Sequence, residues 1–237
     1  DVPERRLHLT LDAPGWVFAG LAVAGLSLAA WRLDRAVRQH ARTDWGAGWL
    51  NWLDGLNRLF CRRYHRLPDI RLPLPAEGPA VVAANHVSGL DPLLLIAAAD
   101  RPLRFLIARE QYERFGLPWL FRAVGCIPVD RRGRPERALR EAYSALRSGE
   151  VVAIFPHGRI HLPTDPPRAL KGGAVRLAVA LQCPVVPVRV GGIRGLGMVI
   201  RGVFSRSHAT VEPLPVLATA STPYEELLDR LSVLLAE

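Results

Sequence analysis

The sequence predicts an α/β domain with a mixed, mainly parallel sheet flanked by helices, preceded by an N-terminal membrane-associated helical segment. Three observations lead there. From Ala80 onward, short apolar runs alternate with helical patterns, as expected of strands joined through helices rather than hairpins. Residues 13–31 form a 19-residue run without a charge, and a bilayer-spanning helix needs about 20 mostly apolar residues. Between the two lies a proline-rich stretch over 68–79. The chain therefore reads as N-terminal helices over 1–67, a connector over 68–79 and a domain over 80–237. That length suits one sizeable domain plus an appendage.

In chain order, the uncharged run comes first. It carries a Trp near each end, Trp16 and Trp31, as interfacial aromatics do. A signal peptide and a buried core helix are the competing readings. The chain opens on Asp1 rather than Met, so a processed or trimmed start is expected. Arg32, Arg35, Arg38 and Arg42 follow at helical spacing. A basic helix beside an apolar span belongs on the cytoplasmic side, against anionic lipid; a solvated helix face would look the same. Over 44–60, Trp45, Trp49, Trp52, Leu53, Leu56 and Phe60 recur at helical spacing. An interfacial helix and a helix packed on the domain both fit this pattern. Beyond the connector, strands are expected over 80–84, 104–108, 126–129, 151–155 and 185–190, with shorter ones near 198–200 and 209–211. Helices are expected over 92–99, 117–124, 134–147, 173–181 and 223–236.

Composition bounds the function. At 49% hydrophobic and 22% charged residues, a large core is available and global disorder is excluded. The net charge of +9 favours an anionic partner. Nearly all the cations are arginines, and Lys171 is the only lysine. Cys61, Cys126 and Cys183 are scattered without metal-ligand spacing, which points to idle thiols in a reducing compartment. No nucleic-acid recognition motif accompanies the basicity, so no nucleic-acid partner is expected.

The chemistry gathers at predicted strand ends. The first strand runs into Asn85-His86-Val87-Ser88-Gly89-Leu90-Asp91-Pro92. On a regular helix His86 and Asp91 would lie roughly 140° apart. They meet only if Ser88-Gly89 turns and Asp91 opens the next helix as the cap before Pro92. The histidine is then an oriented general base, with Asp91 fixing its tautomer and stabilising the imidazolium. The alternative leaves Asp91 a plain helix cap and His86 a turn residue. Ser88 lacks the flanking glycines of a hydrolase elbow and reads as a turn residue. Elsewhere, 125–132 brings Arg131 and Arg132 to a strand end, and 151–159 brings His157, Gly158 and Arg159. Lys171 stands just before a helix N-terminus, a natural anion site.

These blocks resemble the phospholipid/glycerol acyltransferases, whose best-known members are the 1-acylglycerol-3-phosphate acyltransferases. His86-x-x-x-x-Asp91 resembles the family's first motif, and Gly125 to Arg131 the second. Phe155-Pro156-x-Gly158 resembles the third, Val186-Pro187-Val188 the fourth, and Lys171-Gly172 the lysine-glycine pair between them. The resemblance covers about residues 80–192. It implies a His86–Asp91 dyad activating an acceptor hydroxyl to attack an acyl-CoA or acyl-carrier-protein thioester, with no metal or bound cofactor. It also implies a lyso-lipid acceptor whose phosphate meets Arg131, His157, Gly158, Arg159 and Lys171. The expected location is the cytoplasmic face of a bacterial-type inner membrane, with an anionic membrane surface as partner. The chain departs in the third block, where His157, Arg159 and Ile160 replace the usual Glu, Thr and Arg. Lysophosphatidate is the first acceptor to expect, and another lyso-lipid such as a lyso-ornithine lipid the second. A thioesterase using the same pair with water, and a non-catalytic lipid-binding protein, are the readings to test against.

Overall fold

Six strands form a mixed sheet in the order β3-β2-β4-β1-β5-β6. They are β1 (Ala80–Ala84), β2 (Leu103–Ala108), β3 (Ile127–Val129), β4 (Val151–Ile154), β5 (Val185–Gly191) and β6 (Thr210–Pro213). The structure is a computed structural model that describes residues 15–114, 116, 118–131, 135–220 and 222–236. All neighbours run parallel except β5 and β6, which are antiparallel. Strand β1 sits at the centre, with Val82 opposite Ala153 on one side and Val186 on the other. All five of its residues are buried, as a parallel strand covered on both faces requires.

The period-2 alternation of β1 divides the core in two. Ala80, Val82 and Ala84 pack with Leu94, Leu95 and Leu103. Val81 and Ala83 face the other way, into a cluster containing Leu146, Leu177 and Leu231. Helix α3 (Asp91–Ala98) belongs to the first layer. Helices α6 (Pro135–Arg147), α7 (Gly173–Leu181) and α9 (Tyr224–Ala236) form the second. In α6 the buried positions are Ala138, Ala142 and Leu146, and in α9 Leu227, Leu231 and Leu235. Each set recurs every fourth residue, one face of a helix. Two short helices, α4 (Arg109–Arg114) and α5 (Pro118–Ala123), link β2 to β3.

The N-terminal run and Arg32, Arg35 and Arg38 form one continuous helix, α1 (Gly15–His40), whereas Arg42, expected on the same helix, lies beyond its end. Residues 1–14, including the first two of the uncharged run, lie outside the described residues, as does Leu117 of the expected 117–124 helix. Trp16–His40 is the one stretch among the described residues long and apolar enough to cross a membrane, and its apolar window is wholly unburied. Among the described residues it is therefore not packed as a core helix. Arg38 pairs with Asp34 and Arg42 with Asp69.

Helix α2 (Gly48–Arg63) packs on the domain instead of standing free. Its Arg58 is fully buried and ion-paired to Asp54 at 2.8 Å. Arg58 also donates to the carbonyls of Ala97 and Ala99, at the end of α3, and to Thr43 Oγ1. Asp54 Oδ2 accepts the N–H groups of Arg42 and Thr43. The stretch over 68–79 is likewise pinned: Leu72 is buried, and Arg101 holds the carbonyls of Pro75 and Gly78.

The strand expected near 198–200 does not form. Gly195 and Gly197 hold left-handed backbone there (φ 79° and 77°), which breaks an extended run. The chain turns into a short helix, α8 (Ile200–Phe204), instead.

Candidate active site

The C-terminal end of β1 delivers Asn85 and His86. Asn85 clamps the neighbouring strand in both directions: its Nδ2 donates to the Val190 carbonyl (2.9 Å), and the Val190 N–H donates to its Oδ1 (2.7 Å). The chain then turns back through Ser88, whose hydroxyl accepts from the Leu90 N–H at 3.3 Å and donates to the Met198 carbonyl. Gly89 allows this turn to press on the loop after β5, because any Cβ there would collide with the Val199 carbonyl.

Asp91 sits inside the first turn of α3, with Leu90 as the cap residue, and makes no capping bond to its own helix. The expectation of Asp91 as N-cap ahead of Pro92 is corrected by one position. Its carboxylate points backward. Oδ2 accepts from the N–H groups of Val87 (2.6 Å) and Ser88 (3.0 Å) and faces His86 Nδ1 at 2.7 Å. An oxygen already taking two backbone N–H bonds is an acceptor, so Nδ1 carries the ring proton and donates it to Asp91. Nε2 then holds the free lone pair, with no hydrogen-bond partner among the described residues. Asp91 is fully buried, and its Oδ1 has no partner among the described residues.

Phe155, at the end of β4, stacks on the His86 ring with centroids 4.1 Å apart and planes at 16°. The His86 carbonyl accepts the His161 N–H at 2.8 Å. His86 lines a cavity of about 1140 Å³, above the roughly 300–1,000 Å³ common for small-molecule sites. Leu93, Leu103, Phe105, Leu120, Phe121 and Leu139 make much of its wall apolar. Arg131, Gly158, Arg159 and Lys171 also line it, together with Arg176.

Of the residues singled out from sequence, the cavity thus gathers His86, Arg131, Gly158, Arg159 and Lys171. Arg131 lies 3.6 Å from Glu110; Arg132 lies outside the described residues. Gly158 adopts φ 72°, and the Lys171 ammonium occupies the space a side chain there would need.

His157 is placed differently. It is buried, stacks on His161 at 4.6 Å, and is not part of the cavity lining. Burial pushes its pKa down, and the neighbouring His161, Arg168 and His86 push it further. The unfolded chain therefore takes up a proton at His157 where the folded chain does not. Its share of stability is intact above the ordinary histidine value of about 6.5 and declines as the pH falls below it. The melting temperature is expected to drop less between pH 7 and pH 5.5 in His157→Gln than in the parent, and equal drops would exclude this origin.

The sequence alone gives Phe155 a place in a motif but no role, and gives Arg176 neither. For Arg176 a signal existed: it is the lone charge in the otherwise apolar α7 sequence GAVRLAVAL.

A family model described as Acyltransferase matches residues 61–191. A probable 1-acyl-sn-glycerol-3-phosphate acyltransferase of Mycoplasma genitalium is 33% identical over 124 residues, covering 49% of this chain and 46% of its own. The 1-acyl-sn-glycerol-3-phosphate acyltransferase of Bacillus subtilis is 28% identical over 120 residues, covering 50% of this chain and 59% of its own. The chain thus spans about half the length of the curated relatives it matches. In fold it is similar to the crystal structure of the 1-acyl-sn-glycerophosphate acyltransferase of Thermotoga maritima, with a TM-score of 0.58, 20% identity, and coverage of 78% of this chain and 77% of that one. With the match spanning more than half of its residues, the chain belongs to the Acyltransferase family.

Proposed function

We propose that this protein transfers a fatty acyl group from acyl-CoA or acyl-carrier protein to the hydroxyl of a lyso-lipid at a membrane surface, with 1-acylglycerol-3-phosphate as first acceptor. The observation that carries this reading is the His86–Asp91 pair, with Nε2 left free on a ring that lines a large, mostly apolar cavity. Nε2 takes the proton of the acceptor hydroxyl as its oxygen attacks the thioester carbonyl. Asp91 stabilises the imidazolium so formed. When the tetrahedral intermediate collapses, the thiolate leaves and His86 returns the proton to it. No covalent acyl-enzyme is required, because both substrates occupy the cavity together.

Arg131, Arg159 and Lys171 bind the acceptor phosphate in this reading. All three are exposed and line the cavity. Lys171→Ala and Arg131→Ala are each expected to raise the acceptor KM by about tenfold or more while sparing kcat, since a hydrogen bond between charged groups contributes about 1.5–3 kcal/mol in ground and transition states alike. A fall in kcat at unchanged KM would remove them from phosphate binding.

The direct test offers labelled acyl-CoA and acyl-carrier protein with a panel of lyso-lipids. Transfer to lysophosphatidate supports the reading as stated. Transfer only to a lyso-ornithine lipid or another acceptor keeps the mechanism and moves the substrate. Release of free fatty acid without an acceptor favours the thioesterase.

A further inference from the structure

The segment between β5 and β6 is long and unusually apolar where it meets solvent. Leu196, Met198, Ile200 and Phe204 are 45%, 42%, 55% and 68% exposed. A soluble domain rarely concentrates four large apolar side chains within nine residues of surface. Arg194, Arg201 and Arg206 are exposed in the same segment, and none pairs with an acid among the described residues.

This segment is held firmly. The Tyr64 hydroxyl donates to the Phe204 carbonyl at 2.6 Å, and His65 Nε2 donates to the Val203 carbonyl at 2.9 Å. The Gly89 and Gly197 N–H groups donate to the carbonyls of Met198 and Val87. One end is therefore tied to the foot of α2, which carries α1, and the other to the turn between His86 and Asp91. Val199, Ile200, Val203 and Phe204 also line the cavity that contains His86.

We propose that the α8 segment is a second membrane-docking surface, separate from α1, that sets the mouth of the cavity into an anionic lipid leaflet. The apolar side chains enter the acyl region, and Arg194, Arg201 and Arg206 meet phosphate headgroups at its edge. The charge pattern alone would also suit an acidic carrier protein. Four protruding apolar side chains among the arginines favour lipid, because a carrier recognised through its acidic face would need the cations only. The inference rests on the reading of the chain as a membrane-surface enzyme, and its consequence is that an amphiphilic acceptor reaches His86 without leaving the leaflet.

The test uses the full chain reconstituted into vesicles of phosphatidylcholine and phosphatidylglycerol. A fluorophore is attached to Met198→Cys, to Leu26→Cys in α1, or to Val233→Cys, an exposed site on α9. The native thiols compete poorly for labelling: Cys61 and Cys183 are buried, and burial pushes the Cys126 thiol up to about 12. Met198 does not line the cavity, so a nitroxide lipid reaches that label only from the leaflet. Quenching is expected at 198 and at 26 but not at 233. Quenching at 26 alone overturns the docking surface and leaves the anchoring helix intact, whereas quenching at neither overturns the membrane reading itself. A response at 198 to added acyl-carrier protein, with none to nitroxide lipid, hands the surface to a protein partner. The functional arm is Leu196→Ser with Met198→Ser. Its KM for an acceptor embedded in vesicles is expected to rise about tenfold or more, about 1.4 kcal/mol of lost docking. Its kinetics with a short-chain, water-soluble acceptor are expected to be unchanged, and equal loss on both acceptors would overturn the proposal.

Discussion

Replacing His86 by alanine is expected to lower turnover by at least about two orders of magnitude, the share that a positioned general base contributes. The loss should fall on kcat, because the ring acts on the hydroxyl proton and offers little binding to either substrate in the ground state. The fold should tolerate the change: the side chain is 18% exposed, and the turn is held by backbone N–H bonds to Asp91 that do not involve the ring. Acyl transfer measured at saturating substrates, beside a thermal melt of the same protein, separates the two effects. A folded variant that keeps most of its kcat would eliminate the proposed mechanism and return the family resemblance to a question of lipid binding.

Arg58→Ala is expected to cost about 3–5 kcal/mol of stability, because it strands the fully buried Asp54 carboxylate without its ion partner. Against the roughly 5–15 kcal/mol that holds a typical domain together, that is a large fraction. The same substitution frees the carbonyls of Ala97 and Ala99, so the end of α3 loosens as well. Replacing both partners, Asp54→Leu with Arg58→Met, is expected to recover part of the loss. Recovery stays incomplete because the Arg42 and Thr43 N–H groups lose their acceptor. Denaturant midpoints at constant slope measure all three proteins. An unchanged midpoint in Arg58→Ala would mean that the pair is not what fixes α2 to the domain.

The sequence disclosed most where a local rule had no competitor. The strand over 80–84 and the helix over 173–181 appear with those bounds, the first from an uninterrupted apolar run and the second from a helical period opened by glycine. The spacing of His86 and Asp91 leaves their meeting open, since only a turn closes it, and the resemblance to the family's first motif is what names the pair. Asp91's place one residue further into α3 was not legible, since Leu90 enters helical conformation without being a good cap. The segment 198–200 failed for a related reason: Met-Val-Ile looks extended until the neighbouring glycines are given their left-handed backbone. Asp54 and Arg58 stand four residues apart in the sequence, and nothing local says that the carbonyls of Ala97 and Ala99 close over the guanidinium. Its position in a motif points His157 at the phosphate site, while its stacking on His161 depends on a contact that the motif does not contain.

The imidazole of His86 is held by an edge and a face at once, with Asp91 on one nitrogen and Phe155 flat against the ring. Such a ring has no second rotamer to visit without giving up at least one of these contacts. On the proposed mechanism the base does not search for its proton; the hydroxyl must come to it. On the same reading, which hydroxyl of a polyol backbone reacts is decided by the span between Nε2 and the cations proposed to bind the headgroup phosphate. Regiochemistry becomes a matter of length, and an acceptor longer or shorter by one bond between phosphate and hydroxyl would bind in the cavity and go unacylated.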